Sequence, residues 1–123
     1  MDKNIHIDVP GQSEDALQQK CYFWFWNTYP NFRGLLFSVP NGGTRDPREV
    51  KKFNLTGLVS GVSDLILLHR THCYLIELKK DNKKSKQSKN QLEWQKQVEG
   101  QGFIYFIIRS LADFKLTIKN IVE

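Results

Sequence analysis

At 123 residues, the chain has the length of one domain with room for a real core, and 40% hydrophobic and 12% aromatic content suit a globular protein. Its net charge of +5 and pI near 9.3 favour an anionic partner. No apolar run approaches the ~20 residues of a membrane span, and the two cysteines, Cys21 and Cys73, sit inside patterned segments as reduced core residues, with no disulfide framework.

Residues 1–12 read as an N-terminal arm that ends at Pro10-Gly11 and lacks a signal-peptide core, so a cytoplasmic location is expected. Residues 13–123 read as a single domain. Ser13 is a good N-cap, and Glu14 and Asp15 place negative charge in the first helical turn. This first helix runs to about Thr28 and stops before Tyr29-Pro30. Glu14, Leu17, Cys21 and Trp24 share one face, so Glu14 heads the core-facing stripe. Tyr22 to Trp26 is a run of consecutive aromatics that no single helix face can hold. Such a helix is buried on more than one side, against a thick local core or a second copy of the chain.

Leu35 to Val39 reads as a strand. Pro40-Asn41-Gly42-Gly43-Thr44-Arg45 is a turn-rich loop with a positive tip. Asn41, Gly42, Gly43 and Arg45 are candidate DNA contacts, because glycines let backbone amides approach a phosphate and arginine binds one bidentately. Asp46-Pro47-Arg48-Glu49 has the order of an N-cap, an N1 proline and a capping-box acid, so a short helix follows and stops near Gly57.

Gly61 to Leu68 and Cys73 to Lys80 are apolar strands joined by a turn at His69-Arg70-Thr71-His72. A symmetric turn sets Leu68 opposite Cys73 and therefore Asp64 opposite Glu77. Alternation puts Lys79 on the same face. Directly opposed carboxylates repel at a Cβ separation of about 4.5–5.5 Å and call for a cation. Oxygen donors of this kind suit Mg²⁺. A zinc site at His69, His72 and Cys73 lacks a fourth ligand at workable spacing.

Lys80, Lys83, Lys84, Lys86 and Lys89 follow in a polar segment, read as a solvated loop or, from its place beside the carboxylates, as a phosphate-binding one. Ser88 and Gln91 have capping-box spacing at the head of a helix that runs to Gly100. Phe103 to Ile108 is an apolar strand, and Ser110 caps a last helix with Leu111, Phe114 and Ile118 on one stripe.

With Asp64 followed by Glu77-Leu78-Lys79, this order resembles the PD-(D/E)xK nuclease superfamily, and within it the virus-type replication-repair nuclease (VRR-NUC) domain of the stand-alone phage and bacterial type. The matching residues are Glu14, Pro40-Asn41-Gly42-Gly43 with Arg45, Gly61-Val62-Ser63-Asp64, Glu77-Leu78-Lys79, and Gln91 followed by Trp94. They cover roughly residues 13–110. Ser63 stands where the family usually has proline. The resemblance implies an α/β restriction-endonuclease-like fold with an αβββαβ core and a central mixed four-stranded sheet flanked by helices.

The resemblance also implies roles. Asp64, Glu77 and the Leu78 carbonyl would bind Mg²⁺ or Mn²⁺. Lys79 would orient or deprotonate the attacking water. Glu14 would complete the site through water or a second metal, and Gln91 would support Lys79 or a phosphate. The implied activity is a structure-selective DNA endonuclease on branched DNA, such as a Holliday-junction resolvase acting as a homodimer in a bacterial or phage-infected cell. A flap or nicking endonuclease and a catalytically silent DNA-binding module are the alternatives.

Overall fold

The computed structural model describes residues 4–5, 11, 13–40, 46–80 and 85–123. Helix α1 (Glu14–Thr28) and a 3-10 turn (Pro30–Phe32) are followed by strand β1 (Leu36–Ser38) and helix α2 (Pro47–Leu55). Then come β2 (Leu65–His69), β3 (His72–Leu78), α3 (Lys89–Gly100), β4 (Ile104–Ile108) and α4 (Leu111–Val122).

The expected caps are in place. The Ser13 hydroxyl accepts from Ala16 N–H, Ser110 from Asp113 N–H, and Asp46 from Arg48 N–H. Ser88 and Gln91 form the full capping box at the head of α3. Each cap satisfies a backbone donor that a helix N-terminus otherwise leaves open, at about 1 kcal/mol apiece.

The strands form one four-stranded sheet in the order β1-β2-β3-β4. β1–β2 and β2–β3 are antiparallel and β3–β4 is parallel, giving the mixed sheet expected from the sequence. Leu68 pairs with Cys73 and Leu65 with Ile76, where the paired register ends, one residue short of Asp64 and Glu77. The turn itself is tighter than the sequence implies. His69 and His72 also pair, leaving Arg70 and Thr71 alone in the bend with φ of 46° and 67°. Positive φ at both central residues is the signature of a type I′ turn, whose twist matches that of the strands. β2 begins only at Leu65, because Gly61 to Asp64 form a loop that feeds it.

The core lies between the sheet and the α1/α4 pair. Cys21 and Phe25 of α1 and Phe114 and Ile118 of α4 pack on Leu36, Leu65, Leu67, Ile76, Leu78 and Ile108. Burying a side chain as large as Phe25 or Phe114 stabilises by about 1.5–3 kcal/mol. Part of the aromatic run of α1 finds partners within the chain. Phe25 is enclosed, Trp24 meets Phe114 and Tyr29 edge-on, and Trp26 lies beneath the Arg33 guanidinium, 4.7 Å from its ring centroid. A local core thus covers Phe25, Trp26 and part of Trp24, while Tyr22 and Phe23 stay half-buried. The N-terminal arm is tied down where it is described: Ile5 exchanges two hydrogen bonds with the Asn27 side chain, and Arg33 donates to Asn4.

Every residue from Leu75 to Lys79 is buried. β3 has a strand on either side, α1 and α4 over one face and α3 toward the other. Alternation sends Ile76 and Leu78 into the core, and Leu75, Glu77 and Lys79 toward α3. Among the described residues, no helix is long and apolar enough to cross a membrane.

Candidate active site

The site is built where the loop before β2, the end of β3 and the start of α3 converge. Asp64 Oδ2 accepts the Leu78 backbone N–H at 2.7 Å, fixing the first carboxylate against β3. Just before it, Ser63 is fully buried and donates to the Leu65 carbonyl at 3.2 Å, a local bond that proline could not make. Glu77 is 1% exposed and Lys79 7% exposed.

Gln91 joins the two. Its Nε2 donates to Glu77 Oε1 at 3.1 Å, and its Oε1 accepts from Lys79 Nζ at 3.0 Å and from Ser88 N–H at 2.8 Å. The side chain that completes the capping box of α3 thus also spans Glu77 and Lys79. The other oxygen of Glu77 accepts from the Tyr105 hydroxyl of β4 at 3.2 Å, and that hydroxyl in turn accepts from Gln87 Nε2 at 3.3 Å. Glu14 lies at the head of α1 and accepts from the Ser85 hydroxyl at 3.2 Å. Among the described residues, no group of three or more His, Cys, Asp or Glu side chains is gathered closely enough to hold a metal ion. The carboxylates brought together are thus Asp64 and Glu77, and Glu14 is tied instead to the segment leading into α3.

Of the candidate DNA contacts, Lys80, Lys86 and Lys89 are exposed, while Asn41, Gly42, Gly43, Arg45, Lys83 and Lys84 lie outside the described residues. Arg109 Nη1 donates to both the Lys80 and the Ser85 carbonyls, at 3.0 and 2.8 Å, and so holds these two points of the chain near each other. A groove of about 490 Å³ between α1 and β1, lined by Tyr22, Phe23, Leu36 and Phe37 among others, includes none of Asp64, Glu77, Lys79 or Gln91 and is separate from this site.

Sequence reasoning passed over Tyr105, Gln87, Ser85 and Arg109. Tyr105 carried one legible signal: it is the only side chain with a hydroxyl in an otherwise apolar strand, and a buried tyrosine hydroxyl usually has a partner.

Burial, and then the neighbouring Asp64 carboxylate, raise the Glu77 pKa from 4.5 to about 8, against the opposing pull of Lys79 and Tyr105. The metal-free protein therefore keeps a proton that the unfolded chain releases. The stability this confers is fully present below the unfolded value and is lost as pH rises toward about 8. The melting temperature of wild type relative to Glu77→Gln is accordingly expected to fall from pH ~5 to ~8 in a chelator. A difference that stays flat across this range would show that Glu77 ionises normally.

An α/β domain with this mixed sheet, an acidic pair at the sheet end and a lysine two residues beyond the second acid has a restriction-endonuclease-like fold. No family model and no curated protein matches the chain. Among solved structures it is similar to one described as "VRR_NUC domain protein", at 22% identity over 93% of this chain and 91% of that one, with a TM-score of 0.72. A second, described as "VRR_NUC domain", is 18% identical over 89% of this chain and 97% of that one, with a TM-score of 0.57. The chain thus has the fold of a VRR-NUC domain.

Proposed function

We propose that the chain is a divalent-metal-dependent DNA endonuclease that hydrolyses phosphodiester bonds in branched DNA, with the four-way junction as its preferred substrate. The observation that carries this reading is the Asp64–Glu77 pair bridged to Lys79 through Gln91. A buried carboxylate beside a half-buried one is unfavourable unless a proton or a cation lies between them. Mg²⁺ is commonly held by one or two carboxylates and takes its other ligands from water and substrate phosphate, so this donor set fits Mg²⁺ or Mn²⁺. It does not fit zinc, which takes three or four protein ligands.

When bound, such an ion lowers the pKa of water and offsets charge on the phosphate. The residues of the chain then divide the work. Asp64 and Glu77 supply the anchoring oxygens. Lys79, fixed by Gln91, presents an ammonium that orients the attacking water and adds positive charge where the transition state gathers negative charge. Leu78 lies between Glu77 and Lys79 with its N–H held by Asp64, which sets the spacing of the three. The exposed Lys80, Lys86 and Lys89 lie next in the chain and suit contact with the DNA backbone.

Among the described residues one such constellation is present, so symmetric paired cutting needs two chains. A four-way junction has two strands to cut, related by a two-fold axis, and a C₂ homodimer matches that symmetry. The test is a labelled junction incubated with and without Mg²⁺, alongside a flap and a linear duplex. Paired, Mg²⁺-dependent cuts in the junction support the proposal. Single cuts confined to the flap would replace it with a flap or nicking enzyme, and binding without any cut with a silent DNA-binding module.

A further inference from the structure

We propose that Tyr105 is a positioning residue for the Glu77 carboxylate, with Gln87 directing its hydroxyl proton. This rests on the nuclease reading, since it concerns how the acidic pair is presented. Glu77 is gripped at both oxygens from two different elements: Oε1 by Gln91 of α3 at 3.1 Å and Oε2 by Tyr105 of β4 at 3.2 Å. A single hydrogen bond leaves a carboxylate free to rotate about its last bond, and two from separate elements do not. Each oxygen keeps a second lone pair, so the grip orients the group and leaves it able to bind a cation.

The direction of each proton follows from the donor inventory. An amide nitrogen only donates. Gln87 Nε2, 3.3 Å from the tyrosine oxygen, therefore fills one of its lone pairs and leaves the phenolic proton to Glu77. Gln91 is set by the same reasoning. Its oxygen already accepts from Lys79 and Ser88, so its nitrogen faces Glu77. The Tyr105 ring meets Trp94 edge-on at 6.2 Å, and it is only 8% exposed. Ring packing alone would be met equally by phenylalanine. The hydroxyl is what links β4 and the segment before α3 to the acid on β3.

Tyr105→Phe removes the hydroxyl and keeps the ring. Mn²⁺ binding by isothermal titration calorimetry is expected to weaken about 10–100-fold, as when other groups that orient metal ligands are removed. Junction affinity without metal should stay unchanged. Gln87→Ala should give a smaller loss in Mn²⁺ affinity, and the double variant should bind no more weakly than Tyr105→Phe, because Gln87 acts through the hydroxyl. If Tyr105→Phe binds Mn²⁺ like wild type, or only melts earlier with unchanged Mn²⁺ affinity, the hydroxyl is a structural group and the proposal falls. Should Tyr105→Phe fail to fold, Gln87→Ala decides alone: an unchanged Mn²⁺ affinity overturns the relay. A wild-type protein that binds no Mn²⁺ overturns the nuclease reading together with this one.

Discussion

Asp64→Asn, Glu77→Gln and Lys79→Ala are each expected to lower junction cleavage by more than about a hundredfold in Mg²⁺, the scale seen when one group that stabilises transition-state charge is lost. The two carboxylate changes are expected to leave the fold intact. Glu77 is raised to about 8 and so is largely neutral near pH 7, a state that glutamine keeps, and Asp64→Asn removes the carboxylate that helps raise it, so the metal-free melting temperature of either variant should stay close to that of wild type near neutral pH. In a chelator, Asp64→Asn should hold or tighten DNA affinity, because one negative charge fewer faces the phosphates, and Glu77→Gln, which replaces an already neutral group, should leave it unchanged. Lys79 is different, since it is itself buried and its ammonium is held by Gln91. Truncating it leaves a void and takes away one of the two donors to the Gln91 oxygen, so some stability is lost along with activity. Lys79→Met keeps most of the volume and separates the two effects. Any of these variants cutting at close to the wild-type rate would remove that residue from the machinery.

Gly61→Ala is the second change expected to act strongly, although Gly61 touches neither metal nor substrate in this scheme. Its φ of +85° lies in the left-handed region, where an L side chain costs about 1–2 kcal/mol. A Cβ there would stand 2.5 Å from both the carbonyl carbon and the oxygen of Asn90 and 2.8 Å from Gln91 N. All three are backbone atoms that cannot rotate aside. The loop that delivers Asp64 therefore lies backbone against backbone on the first turn of α3, and Ser60 adds a hydrogen bond from Asn90 Nδ2 at 2.9 Å. Adding one methyl group must push that turn away and carry Gln91 off Glu77 and Lys79. A fall of about 5–10 °C in melting temperature is expected from the backbone cost. A loss of cleavage larger than that of Ser60→Ala is expected with it, read at a temperature where both variants are folded. If Gly61→Ala melts and cuts like wild type, this close approach does not hold the site together.

The sequence by itself determined whatever one element encodes within its own length. Alternation in Gly61–Leu68 and Cys73–Lys80 was enough to set the hairpin register up to Leu65 opposite Ile76, and so to bring Asp64 to the end of the strand that carries Glu77 and Lys79, because a strand has a period of two and a short hairpin permits few registers. The caps at Ser13, Ser88 and Ser110 were legible for the same reason, since a cap and the N–H it accepts are three residues apart. Only the tertiary structure decided what depends on contacts distant along the chain. Tyr105 reaches Glu77 across 28 positions, and Ser85 reaches Glu14 across 71. No periodicity within either segment carries that information. Gly61 had the look of an ordinary turn glycine, and the first turn of α3 that makes it indispensable comes nearly thirty residues later. The aromatic run of α1 shows the same limit from the other side. Its composition told that more than one face must be covered, but not that Phe114, Tyr29 and Arg33 of the same chain do much of the covering. Burial depends on which elements meet, and a single helix does not specify its neighbours.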